Sequence, residues 1–202
     1  MSEKIKIADE DIEKVEEIAR HYRAILELLG EDPEREGLRK TPMRAAKAMW
    51  YITSGYRQDA DEVMKQAIFE YAGSKMIVVK DIEFYSLCEH HILPFFGKIS
   101  IGYIPDGNMI GLSKLARLVN VFAQRLQVQE RLTAQICKSV METLHAKGAI
   151  VVCNGEHLCM KMRGVEKELS STTTCDYDGV FADDPKLRSE FFDSLKAFLV
   201  PV

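Results

Sequence analysis

The sequence predicts an α+β fold in which an antiparallel ββααββ sheet carries helices on one face, preceded by N-terminal helices. Three observations point there. From residue 75 onward the pattern runs strand, strand, helix, helix, strand, strand, an order that suits an antiparallel sheet. Before residue 75 the apolar residues recur at helical spacing. With 202 residues, 47% of them hydrophobic, the chain can bury one sizeable core with a helical extension.

Residues 9–29 read as an amphipathic helix. Ile12, Val15, Ile18, Ala19, Tyr22, Ile25, Leu28 and Leu29 form one stripe, and Gly30 stops it. EDPEREG is a loop. A second helix begins at KTPMRAAKAMWYI, with Thr41 as N-cap and Pro42 at the first helical position. Residues 57–75 are expected to hold a short helix between loops. KMIVVKDIEFYS and FFGKISIGYIP are β-branched and aromatic and read as strands. Two helices follow, 113–126 capped by Ser113 and 130–147 stopped by Gly148. AIVVCNGEHLCMKM and KELSSTTTCDY are strand-like, and a last helix spans 185–199. The expected organisation is a helical region at 1–74 and a sheet domain at 75–202.

Charge and composition exclude several functions. The net charge is −4, and residues 1–36 hold 12 acidic against 6 basic side chains, so the rest is close to neutral. That gives no electrostatic footprint for duplex nucleic acid, although a local cationic pocket for a compact anion remains open. No apolar run approaches the ~20 residues of a membrane span. The charged N-terminus lacks a signal-type apolar stretch and points to a cytoplasmic protein. Five cysteines, an odd number, favour free thiols and metal ligands over a disulfide framework.

Two segments carry chemistry. In SLCEHH, Cys88 and His91 have the Cys-x-x-His spacing that lets one turn supply two zinc ligands, and His90 is one residue closer. Adjacent histidines point in different directions, so one ion takes only one of them. In EHLCMKMRG, read as a strand, His157, Cys159, Lys161 and Arg163 share one face, and Leu158, Met160 and Met162 point to the core. Cys153 is excluded on either geometry of Asn154-Gly155. A continuous strand puts it ~20 Å from Cys159, and a two-residue hairpin turns it away. Cys137 belongs to a helix stripe and Cys175 has no partner by spacing. Cys88, His91 and Cys159 remain as three ligands with an open fourth position, the pattern of a catalytic metal site. His90 and His157 lie beside it without ligating, suited to proton transfer.

SLCEHH, GLSKLARLV, QVQERLTAQI and HLCMKMRGV, in this order, resemble GTP cyclohydrolase I. The resemblance runs from KTPMRAAKAM to GVFADDPKLRSEFF. It implies the tunnelling fold, whose subunits join sheet edges into a ring, two five-membered rings stacking into a homodecamer with active sites at subunit interfaces. It also implies hydrolysis of GTP to formate and 7,8-dihydroneopterin triphosphate, the first step of pterin and folate biosynthesis. Zn2+ on Cys88, His91 and Cys159 would activate the water that attacks the purine carbon lost as formate. By the same resemblance His157 and His90 move protons and Ser113 acts on the ribose side. Glu130 would recognise guanine, with Gln129 as a neighbouring contact. Lys114, Arg117 and Arg163 would bind the triphosphate, joined by Arg44 from an adjacent subunit. The alternatives are a non-hydrolytic binding module with structural zinc, which needs a fourth protein ligand, and another pterin or deazapurine enzyme of the same fold.

Overall fold

The computed structural model of the protein describes residues 7–196. The chain divides into two compact units, Met1–Ser54 and Gly55–Val202. In the first, helix α1 (Ile12–Leu28) packs on α2 (Thr41–Ile52) around Val15, Ala19 and Ala46, with Ile18, Tyr22, Met43 and Trp50 at the margin. Gly30 ends α1 with φ 84°. The apolar stripe expected on α1 is buried only in its middle; Ile12, Ile25, Leu28 and Leu29 are exposed. Thr41 is not the N-cap of α2. It is the first helical residue, and its hydroxyl donates to the Gly37 carbonyl.

The second unit opens with α3 (Ala60–Lys65), whose Asp59 cap accepts from the Glu62 amide. A three-residue strand, β1 (Ile68–Glu70), pairs with β4 (Asn108–Ile110). The main sheet has the order β5-β2-β3-β6-β7. Its members are β2 (Ile77–Cys88), β3 (Pro94–Ile104), β5 (Leu126–Gln127), β6 (Gly148–His157) and β7 (Thr172–Gly179). All neighbours are antiparallel except β5, which runs parallel to β2.

Helices α4 (Leu112–Ala123) and α5 (Gln129–Leu144) cover one face, as the sequence suggests. Alternation on β3 and β6 sends Phe95, Ile99, Ile101, Val151 and Cys153 into the core with Leu115, Leu118, Leu132 and Ile136. The other face is not bare. Two further helices, α7 (Val180–Asp183) and α8 (Pro185–Lys196), bring Phe181 and Phe191 onto Ile104 and Ile150 there. The expectation of helices on one face therefore holds for the α4–α5 pair alone. The last helix was expected to reach residue 199; residues 197–199 lie outside the described residues. No helix of the described residues is long and apolar enough to cross a membrane.

Two local readings change. Ser113 does not cap α4; the helix begins at Leu112 after Gly111, and Ser113 is its second residue. The segment after His157 is not a continuing strand, because Leu158–Lys161 forms one helical turn, α6. Met160 and Met162 consequently face outward rather than into a core. Asn154-Gly155 makes no hairpin, since β6 runs through both residues opposite Lys98 and Gly97.

Candidate active site and metal centre

The site gathers at one end of the main sheet. Cys88 ends β2, where it pairs with Gln127 of β5, and a tight turn follows. The Cys88 amide donates to the Leu93 carbonyl at 2.8 Å, and the Ile92 amide donates back to the Cys88 carbonyl at 2.8 Å. Ile92 sits at φ 55°, a left-handed conformation that β-branched residues rarely adopt. This reversal turns His90 and His91 back toward Cys88, whose Sγ lies 3.7 Å from His90 Nδ1 and 3.8 Å from His91 Nδ1. The two rings diverge, 6.2 Å apart and 69° to one another.

The helical turn α6 delivers Cys159 to the same place. One ligand atom each from Cys88, His91 and Cys159 lies within 4.8 Å of the others. Zinc bonds of ~2.3 Å to sulfur and ~2.0–2.1 Å to nitrogen at tetrahedral angles set ligand atoms ~3.4–3.8 Å apart, so the three fit one ion after a small contraction. Cys88 is 6% exposed, His91 is exposed and Cys159 is half-buried, which leaves an open side. Burial and the adjacent Cys88 thiol push the Cys159 pKa up, a pairing that a bound cation would reverse. Cys137 and Cys153 are different. Both are in the core, and burial raises each to about 12, so they are inert thiols.

His157, the last residue of β6, pairs with Phe95 across the ladder and stacks on its ring at 4.6 Å and 3°. Its Nε2 lies 2.9 Å from Gln129 Oε1. Burial lowers its pKa below the ordinary imidazole value, and Glu130 partly offsets this. Glu130 itself is exposed in the first turn of α5. Gln129, expected among the substrate contacts, lies beneath the sheet with its side-chain oxygen on His157. It is 1% exposed, and its amide nitrogen donates to Cys153 O (3.0 Å), Thr172 O (2.8 Å) and Thr174 Oγ1 (3.2 Å).

The cationic residues are distributed unevenly. Lys114, near the N-terminus of α4, is 8% exposed and donates to Gln66 Oε1 at 2.7 Å. Arg117 and Ser113 are exposed on α4, and Arg163 is exposed after α6. Arg44 is exposed on α2 of the first unit. Sequence reasoning missed the pair of Glu89 and Arg131. Arg131 clamps the Glu89 carboxylate at 2.6 and 2.9 Å and holds it below the usual carboxylate range. This bond ties the Cys88–His91 turn to the first turn of α5. The available signal was a lone carboxylate inside CEHH and an arginine directly after Gln129-Glu130.

The family model described as GTP cyclohydrolase I matches residues 18–196. The chain is 54% identical over 186 residues to GTP cyclohydrolase 1 of Porphyromonas gingivalis, covering 91% of this chain and 96% of that one. It is 53% identical over 182 residues to GTP cyclohydrolase 1 of Bacteroides fragilis, covering 90% and 93%. Against GTP cyclohydrolase 1 of Drosophila melanogaster the identity is 54% over 177 residues, 88% of this chain and 55% of the longer relative.

Proposed function

The chain belongs to the GTP cyclohydrolase I family, a GTP hydrolase, and on that premise we propose how its own residues divide the work. The single observation that carries the reading is the convergence of Cys88, His91 and Cys159, whose ligand atoms lie within 4.8 Å of one another. Cys88, His91 and Cys159 would hold Zn2+; two thiols and an imidazole with an open side suit it. When bound, the ion supplies a Lewis acid that makes water nucleophilic near neutral pH.

The protein's side chains do the rest. Glu130 accepts from the guanine ring N–H and exocyclic amine, a bidentate pairing that an amide cannot copy. His157, whose neutral form burial favours, takes and returns the proton that moves as the imidazole ring opens. His90 transfers protons on the ribose side with Ser113. Lys114, Arg117 and Arg163 neutralise the triphosphate at the first turns of α4, where the helix N-terminus also favours anions, and the partner subunit's Arg44 completes the set. The products are formate and 7,8-dihydroneopterin triphosphate, the entry into pterin and folate synthesis in the cytoplasm.

Ring assembly belongs to the same reading. β7 is an edge strand of the main sheet, and joining it to a neighbour's opposite edge would remove an open row of backbone groups. Five subunits closing in this way, stacked as two rings, give a homodecamer. The test is formate release from GTP with pterin fluorescence, before and after chelation and zinc readdition. Loss of both signals on chelation and their return with zinc supports the assignment. Zinc-loaded oligomer that releases no formate overturns it in favour of a binding module.

A further inference from the structure

The buried amide of Gln129 has a single chemically acceptable orientation. Its nitrogen faces two backbone carbonyl oxygens, Cys153 O and Thr172 O, which can only accept. Reversing the amide would set its oxygen against both and orphan them. The side-chain oxygen is therefore fixed toward His157 Nε2 at 2.9 Å. An amide oxygen donates nothing, so the proton in that hydrogen bond sits on His157 Nε2. A second hydroxyl layer holds the arrangement, with Thr133 Oγ1 donating to the Gln129 carbonyl (2.8 Å) and meeting Thr174 Oγ1 at 2.6 Å. The backbone makes room for it as well. A Cβ on Gly155 would stand 2.4 Å from Gln129 Oε1, so only glycine at this point of β6 lets the amide pass beneath the strand to reach His157.

From this geometry we infer that Gln129 is a positioning residue, which sets the tautomer and ring plane of His157. The inference rests on the reading of His157 as the proton-transfer residue. Gln129 is suited to the task because it is neutral. Nε2–H donates to it in both the imidazole and the imidazolium, so the bond survives each proton transfer without biasing the charge state as a carboxylate would. Phe95 fixes the ring face by stacking, Gln129 fixes rotation within that plane, and together they leave His157 one pose.

Two independent readouts test this on the zinc-loaded full chain. Two-bond 15N–1H correlation spectra of 15N-histidine-labelled enzyme, with His157 assigned by its loss in His157→Asn, should record the neutral ring as the Nε2–H tautomer. An Nδ1–H tautomer overturns the inference, whether or not the enzyme turns over. In kinetics, Gln129→Met keeps the side-chain length and removes both hydrogen-bonding ends. It should lower kcat roughly 10–100-fold while KM for GTP stays within about twofold and zinc content is unchanged. Should that variant misfold, Gly155→Ala displaces the amide by its methyl alone and should give the same loss confined to kcat. A raised KM with unchanged kcat in either variant would make Gln129 a substrate contact and refute the positioning role. Wild-type enzyme without formate release would sink the enzymatic roles above, while the spectrum would still decide the tautomer.

Discussion

Replacing Phe95 by leucine should separate the stability of the core from the alignment of His157. Phe95 is fully buried and has two ring partners: Phe84, edge-on at 5.7 Å and 69°, and His157, parallel at 4.6 Å and 3°. Leucine keeps most of the apolar volume and loses both ring contacts. Each such pair contributes about 0.5–1.5 kcal/mol beyond burial, so Phe95→Leu should cost ~1–3 kcal/mol of stability. The His157 share, if it acts only on ring alignment, corresponds to roughly a two- to tenfold loss of kcat. Phe84→Leu is the control, because it removes the Phe84–Phe95 contact and leaves the stack on His157 in place. It should lower stability by only about 0.5–1.5 kcal/mol and keep wild-type kcat. Denaturant midpoints at one fixed protein concentration and formate release at saturating GTP measure the two quantities. If Phe95→Leu is destabilised yet turns over at the wild-type rate, or if Phe84→Leu loses kcat equally, the stack does not align His157.

Four further outcomes follow from the described contacts. With zinc removed, a thiol reagent under native conditions should modify Cys159 and Cys175 and spare the buried Cys88, Cys137 and Cys153; zinc should protect Cys159, read by mass spectrometry. Zinc at a hundredfold excess over its dissociation constant should add ~2.7 kcal/mol to stability, seen as a raised unfolding midpoint. Glu130→Gln should reduce kcat/KM for GTP by roughly 10- to 150-fold, as hydrogen bonds to a charged group are worth about 1.5–3 kcal/mol, whereas an unchanged value would remove Glu130 from guanine recognition. Gly97→Ala should cost about 3 kcal/mol, at the upper end for overpacking, since its Cβ would stand 2.0 Å from the Asn154 carbonyl oxygen and part β3 from β6; a wild-type melting midpoint would contradict the register.

Long, strongly patterned elements were legible in the sequence. The strands around CEHH, the α4–α5 pair and the helix stopped by Gly30 all lie near where periodicity put them, because burial of one face enforces the pattern. The trio of Cys88, His91 and Cys159 was legible for a chemical reason: thiols and imidazoles are uncommon side chains, and their spacing limits which can meet. Short-range readings failed where four residues decide the outcome. Leu158, Met160 and Met162 alternate like a strand, but one helical turn is too short to show its own period, and no core receives those side chains. Thr41 and Ser113 have capping chemistry, yet each lies within its helix rather than before it. The environment of Gln129 was illegible in principle. Its partners at Cys153, His157, Thr172 and Thr174 lie on two strands distant in sequence, and only the finished sheet brings them under one helix turn.

The two cysteines of the site stand on opposite sides of the α4–α5 hairpin in the chain, and β3 and β6 must pair before they meet. Cys88 and His91 alone offer a local, two-point grip that an emerging chain could present early. The third contact arrives only when β6 has zipped along β3 as far as Phe95 and His157. An ion gripped by all three residues therefore closes a loop containing two helices and four strands, and closing long loops is where such a clasp restrains the unfolded chain most. Full-strength metal capture would come last in maturation, and loading would serve as a checkpoint that only correctly assembled chains pass.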